Sequence, residues 1–250
     1  MYDLVEVEKL EEKYLNKFYH FLKYIEDELL YSFKSGKNIE DDWKDFWGGE
    51  NKGISSFSAG FERVIYNYFN SNAIRGEVNS SPVASDLFFE TKDAFIHIDI
   101  KTVQTRNIGD ISTSIFIGLN QNSYRAELKN SKEESFNPPR FYEPAIPTIY
   151  NKNRENRKIS LSYFLTILYD DISLEILNIN LLSMPNGILE KHYKHKPLKA
   201  GKIKTEARFN FKKVSKFELL KNQPNRVKVI YFNENMQEEH KKKLKFFETI

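Results

Sequence analysis

Phe95-Ile96-His97-Ile98-Asp99-Ile100-Lys101 is the stretch on which the fold of this chain turns. Side chains alternate along an extended strand, so Ile96, Ile98 and Ile100 share one face and can enter a core. His97, Asp99 and Lys101 then share the other face, a charged row on a strand apolar enough to be central. The period of two holds over residues 87–91 and 94–103, which predicts two antiparallel strands joined by a turn at Lys92-Asp93. That hairpin carries Asp86 towards the Asp99 end of the partner strand. Two carboxylates and a lysine thus converge on one small patch.

Outward from the hairpin, the pattern changes period. Val7, Leu10, Tyr14, Phe18, Phe21, Ile25 and Leu29 recur at intervals of three and four, which predicts one long helix over 4–34, ended at Ser35-Gly36. Its apolar stripe suits the chain's own core or a partner subunit equally. A loop is expected over 43–53, then a second helix over 56–70 with Phe57, Phe61, Val64, Ile65, Tyr68 and Phe69 on one face. Beyond the hairpin, 104–128 is polar, and 129–158, with Pro138, Pro139, Pro144 and Pro147, reads as a long loop. Strands are expected at 161–169, 174–182, near 202–211 and at 227–232, with a charged helix at about 234–248. The fold class is α/β: a mixed sheet of about five strands flanked by helices. With no repeat and no low-complexity linker, a single domain over 1–250 is expected. It comprises a helical segment (1–50), a catalytic core (55–130) and a basic region (190–230).

Composition narrows the function. The 250 residues carry 40% hydrophobic and 14% aromatic side chains, enough for a packed core. The absence of cysteine excludes disulfides, thiolate metal sites and cysteine nucleophiles, and fits the cytoplasm. No apolar run is long enough for a membrane span, and no signal peptide is evident. The net charge of +3 hides an asymmetry. Residues 1–50 hold 7 Lys/Arg against 13 Asp/Glu, whereas 191–228 hold 13 against 2. A basic tract in a near-neutral chain is the footprint of a polyanion partner, although a solvated lysine-rich surface has the same composition.

Phosphodiester hydrolysis calls for the groups gathered at the hairpin. Magnesium takes oxygen ligands, so Asp86, Asp99 and a backbone carbonyl, that of Ile100, suffice for a hard-cation site. Such an ion polarises a phosphoryl oxygen and lowers the pKa of a bound water. Lys101 beside it can orient or deprotonate that water and offset negative charge at phosphorus. Glu62, early on the second helix, is a further ligand, direct or through water. A bare Asp, gap, Asp-x-Lys pattern arises by chance about once or twice in a chain this long. The weight therefore rests on context: an isoleucine-rich strand, an acid on the adjoining strand and an acidic helix before it.

Phe61-Glu62, Ser85-Asp86-Leu87 and Ile98-Asp99-Ile100-Lys101-Thr102 together resemble the PD-(D/E)xK nuclease superfamily, and within it the EcoRV- and HincII-like type II restriction endonucleases. The tract Arg106-Asn107-Ile108 with 112–114 is similar to the DNA-contacting stretch that follows the catalytic lysine there. The likeness spans roughly 57–128. It implies that Asp86 and Asp99 bind the metal, that Lys101 is the catalytic lysine and that Glu62 is the helix acid. One departure is that serine precedes the first acid where the family pattern has proline; Pro82 lies four residues before that acid.

Residues after the strand are candidates for DNA contact. Gln104, Asn107, Asn120, Gln121 and Asn122 can read adenine edges, while Arg106, Arg125, Ser112, Thr113 and Tyr124 can hold phosphates or bases. Lys199 and Lys202, with Lys194, Lys196 and Lys204, suit backbone contacts. His97 projects on the charged face and can act as ligand or base, though a strand histidine more often bonds a neighbour. His192 and His195 lie in the basic tract without an acidic partner nearby in sequence, which favours phosphate contact or solvation over metal. The expected function is sequence-specific, magnesium-dependent cleavage of double-stranded DNA that leaves 5′-phosphate ends, by a homodimer matched to a palindromic site. The rival readings are a structure- or lesion-directed repair nuclease and a non-catalytic DNA-binding protein.

Overall fold

The computed structural model describes residues 2–33, 53–70, 77–78, 86–130, 132–203 and 206–250. The expected helix cap at Ser35-Gly36, the loop ahead of Gly53, Pro82 and Lys204 lie outside the described residues. Helix α1 (Leu4–Tyr24) is followed by a turn at Ile25 and by α2 (26–33). The single 4–34 helix is therefore interrupted. No glycine or proline marks the break, and Ile25, Leu29 and Phe33 stay buried beyond it, so the apolar spacing passes through the turn unchanged. Helix α3 (Gly53–Asn70) starts three residues before its expected position.

Among the described residues the main sheet has seven strands. Its path runs β1 (Glu77–Val78), β2 (Leu87–Glu90), β3 (Ala94–Gln104), β8 (Lys158–Tyr169), β9 (Ile176–Met184) and β12 (Val227–Phe232), with β7 (Ile149–Tyr150) pairing β8. The expected count of about five falls short because β1 and β7 are two residues long and carry no readable alternation. The β2–β3 hairpin is antiparallel as expected, closed by the Thr91 N–H bond to the Ala94 carbonyl. Strand β3 then runs parallel to β8 over eleven pairs, from Ala94↔Ile159 to Gln104↔Tyr169. Paired on both edges, β3 is central, as its isoleucines require.

The expected long loop over 129–158 is not one. It contains β7 and β6 (Ser135–Tyr142), which pairs with β5 (Ala126–Lys129) in a separate two-stranded sheet. The pairs Leu128↔Arg140 and Lys129↔Ser135 leave 136–139 as a bulge. Pro138 and Pro139 fall in that bulge, where no ladder N–H is needed, which is how an edge strand tolerates proline. A third sheet joins β10 (Leu198–Ala200), β11 (Ala207–Phe209) and β4 (Ile115–Ile117). The strand expected near 202–211 is thus reduced to β11, because Ala200 already pairs with Ala207 and the Gly201 N–H bonds the Glu206 carbonyl. Gly201 is required there, since a Cβ would lie 2.4 Å from the Glu206 Cβ. Helix α4 (Glu190–Tyr193) is short, and α5 (Glu238–Glu248), which closes the chain, starts four residues later than expected and ends where expected.

The helices cover the isoleucine face. Phe18 meets Tyr163 edge-on at 5.5 Å, Phe61 meets Tyr169 at 5.7 Å and Phe69 meets Phe89 at 5.7 Å. The α1 stripe is consequently spent on the chain's own sheet. The third sheet packs on the opposite face, where Phe209 approaches Phe164 at 6.3 Å. No helix among the described residues is long and apolar enough to cross a membrane.

One buried ion cluster ties α1 to the C-terminal half. Arg226, fully buried, donates to Glu11 at 2.6 Å and to Glu8 at 2.8 Å, and the Tyr193 hydroxyl donates to Glu8 as well. Leu219 N–H and Asn186 N–H take up the other carboxylate oxygens. Burial raises the Glu11 carboxyl and the guanidinium opposes it. Removing one partner of such a cluster strands buried charge. Arg226→Met should therefore cost about 3–5 kcal/mol of stability in urea unfolding, and adding Glu8→Gln and Glu11→Gln to it should recover much of the loss. A single variant as stable as the parent would contradict this reading of the cluster.

Candidate active site

Register places the acids. Leu87 pairs with Ile98 and Phe88 with His97, so Asp86, one residue before β2, lies opposite Asp99 on the same face. Its Oδ2 accepts the Ile100 N–H at 2.6 Å, just past the last β2–β3 pair. In an extended residue the N–H and C=O point to the same side of the strand, so the Ile100 carbonyl also faces the Asp86 side.

Asp99 is buried, at 3% exposure. Its Oδ2 contacts the Lys101 ammonium and makes no hydrogen bond of acceptable geometry, while its Oδ1 accepts from Gln121 Nε2 at 2.6 Å. Burial raises Asp99 to about 6, with Lys101 pulling down and Asp86 and Glu62 pushing up. Asp86 opens to solvent on one side, and burial of the rest raises its carboxyl, countered by the Ile100 N–H and Lys101. Glu62 on α3 is raised by burial and by Asp86, and lowered by Lys101. The three acids therefore share one field, with one lysine to balance them.

Lys101 is held in place. Its Nζ donates to Gln121 Oε1 at 3.0 Å and lies 5.9 Å from the ring centroids of both Phe116 and Phe164. Two converging carboxylates, a carbonyl aimed at the same corner and a buried carboxylate oxygen without a hydrogen bond are the donor set a hard divalent cation takes. Among the described residues no three Asp, Glu or His side chains are grouped closely enough to hold an ion alone. A cation here would thus rely on Asp86, Asp99 and the Ile100 carbonyl, with Glu62 further out.

His97 belongs elsewhere despite sharing this face. It is buried against Phe88 at 4.7 Å and Tyr150 at 5.8 Å, and its Nε2 meets the Tyr150 hydroxyl at 3.2 Å. Desolvation lowers it to about 3, so it is neutral at working pH and too weak for a base.

The DNA-contact candidates divide. Arg106, Asn107, Asn120 and Arg125 are exposed, as are Lys199 and Lys202; Ser112 and Thr113 are half-buried. Arg125 pairs with Glu143 at 2.7 Å. Four expectations are corrected. Asn122 is fully buried and donates to the Tyr142 hydroxyl at 2.7 Å, so it organises the loop interior. Tyr124, also fully buried, donates to the Lys194 carbonyl at 2.6 Å. Gln104 is buried at the end of β3. Gln121 turns inward to the acid and the lysine rather than outward to bases. His192 does have an acidic partner, Glu218 at 3.0 Å, brought near only by folding.

Two roles escaped the sequence reading, that of Gln121 at the acid and the lysine and that of Arg208. Gln121 looked like one amide among several, and no local spacing ties it to Asp99. Arg208 on β11 bonds the Ser114 carbonyl at 2.9 Å and pairs with Asp110 at 3.2 Å, anchoring the 109–114 loop. An isolated arginine in a basic tract gave no signal of that.

Sequence comparison matches residues 3–173 to the N-terminal domain of the type II restriction enzyme MwoI, and residues 176–232 to the central domain of the same enzyme. No curated protein matches the chain. The restriction endonuclease BglI bound to its DNA recognition sequence has the same fold, with TM-score 0.67 and 16% identity over 89% of this chain and 90% of that one. So does the tetrameric restriction endonuclease SfiI bound to cognate DNA, with TM-score 0.70 and 14% identity over 94% and 88%. The fold is that of the restriction endonucleases, as expected; the EcoRV- and HincII-like grouping is a finer assignment than these matches make.

The His97 environment makes a pH prediction. Its folded pKa is depressed, from 6.5 to about 3, so its contribution to stability is complete above about 6.5 and is lost as pH falls towards 3. His97→Phe keeps a ring against Phe88 and Tyr150 but removes the titration. Its stability should fall less between pH 6.5 and 4 than the parent's, by on the order of 2–3 kcal/mol. Parallel stability–pH curves from chemical denaturation would contradict a buried neutral imidazole.

Proposed function

The chain belongs to the MwoI family of type II restriction enzymes, and on that premise we propose that it cuts double-stranded DNA at a specific sequence with Asp86, Asp99 and Lys101. The observation that carries the assignment of residues is the register Leu87↔Ile98, which sets Asp86 against Asp99 with Lys101 two residues on.

Asp86 and Asp99, with the Ile100 carbonyl, would hold a magnesium ion, which when bound would supply polarisation of the scissile phosphate and a water of lowered pKa. The chain's own groups do the rest. Lys101 directs an ammonium at the charge developing on phosphorus and is placed to hold the attacking water. Glu62 reaches the same field from α3 and orders water at its rim. Asp99 must be ionised for this work, and the adjacent Lys101 favours that form against the cost of burial. Hydrolysis at phosphorus leaves a 5′-phosphate and a 3′-hydroxyl.

Exposed Arg106 and Asn107, just after β3, and exposed Asn120, on the turn after β4, supply contacts to bases or phosphates. Lys199 and Lys202 supply backbone contacts, which position without specifying. A two-fold dimer is the simplest reader of a symmetric site, and it would be built on surfaces other than the buried α1 stripe. The protein acts in the cytoplasm.

The test is incubation of purified protein with a long natural duplex, first with magnesium and then with chelator. Discrete fragments with magnesium and intact DNA with chelator are expected, and sequencing the ends gives the site. A smear would point instead to a structure-directed or nonspecific nuclease. Intact DNA across several unmethylated substrates would favour a binder without catalysis.

A further inference from the structure

We propose that Gln121 is a positioning residue that sets Lys101 and Asp99 for cleavage, a role that rests on the nuclease reading above and adds a side chain to it. Its amide makes three hydrogen bonds at once. Nε2 donates to Asp99 Oδ1 at 2.6 Å, while Oε1 accepts from Lys101 Nζ at 3.0 Å and from the Gly118 N–H at 2.6 Å. Only this orientation of the amide satisfies all three, because a flipped group would face donors with its NH₂ and the carboxylate with its oxygen.

The chemistry of the bridge is specific. A carboxylate and an ammonium on alternate positions of one strand attract each other, but attraction alone fixes no angle. An amide that donates to one and accepts from the other does. It turns Asp99 so that Oδ1 is taken and Oδ2 remains towards Lys101. It also limits the travel of a lysine head that has four carbon–carbon torsions to lose. Glutamate would set a second oxygen against Asp99, methionine makes neither bond, and asparagine is one methylene short.

Gly118 is the complement of this clamp. A Cβ there would lie 3.2 Å from the Gln121 Cδ and 3.3 Å from its Oε1. The backbone is thus bare where the amide must approach its N–H. Leu119 and Asn120, between the two, are exposed on the same turn. The clamp therefore sits on a segment open to DNA, so a shift of that turn on binding would be felt at Lys101 and Asp99.

The experiment compares Gln121→Met and Gln121→Glu with the parent on a duplex carrying the cognate site defined by the fragment ends. Affinity is measured with calcium in place of magnesium, and single-turnover cleavage with magnesium. Thermal unfolding identifies any variant that fails to fold, and Gly118→Ala tests the same clamp from the backbone side. Both Gln121 variants should bind within about threefold of the parent and cut about 100-fold more slowly, equally at every site variant. Gly118→Ala should show a smaller loss in rate alone. Unchanged cutting would overturn the proposal. So would weakened binding with relaxed preference at one base pair, which would make Gln121 a base reader. A parent protein that cuts no duplex would overturn the nuclease reading and this role with it.

Discussion

A single register, Leu87 opposite Ile98, governs this molecule. It sets Asp86 across from Asp99 and leaves both on the face that Lys101 shares. A slip of one residue would send the isoleucines to the charged side and the acids into the helix-covered core. Burial resists that slip strongly, because Ile96 and Ile98 are fully enclosed and Ile100 nearly so. The same strand is fixed on its other edge by eleven parallel pairs with β8. Packing of the opposite face thus places the acids and the lysine, and the Gln121 hydrogen bonds then hold the heads of Asp99 and Lys101.

Electrostatics divide the molecule into two regimes. At the site, three acids face one lysine, so desolvation and mutual repulsion raise Asp99 to about 6. That excess of negative charge is what a cation relieves. Deep in the core, Glu8 and Glu11 meet Arg226 with their other oxygens bonded to backbone N–H groups. There one guanidinium serves two carboxylates, the Tyr193 hydroxyl and the backbone add hydrogen bonds to them, and the cluster joins the first helix to the strand that closes the sheet. Part of the acidic excess of 1–50 and part of the basic excess of 191–228 therefore cancel inside the protein. The remaining exposed lysines, Lys199 and Lys202 among them, are what is left for a polyanion.

The hairpin, the helix faces and the long strands were legible in the sequence, because each depends on a periodic pattern that burial enforces. Asp86, Asp99 and Lys101 could be brought together from alternation and a two-residue turn alone. What the sequence hid depends on contacts between distant segments. Short β1 and β7 have no period to read, and β6 accommodates its prolines through a bulge that only its pairing with β5 explains. Asn122 and Tyr124 look like surface amide and aromatic groups, yet they are buried by partners at 142 and 194. His97 shares the charged face, but Phe88 and Tyr150 close over it. Arg226 reads as part of a DNA-binding tract until Glu8 and Glu11, more than two hundred residues away, are seen against it.

The most direct test of the central assignment is Lys101→Ala, assayed for cutting and for binding on the same duplex. On the proposed reading the ammonium acts at the reacting phosphate and not in the core, so single-turnover cleavage should fall at least about 1,000-fold. Folding should be retained and affinity for the duplex should stay within a few-fold. Cleavage at the parental rate, or loss of folding and binding together, would contradict the placement of the catalytic centre at Asp86, Asp99 and Lys101.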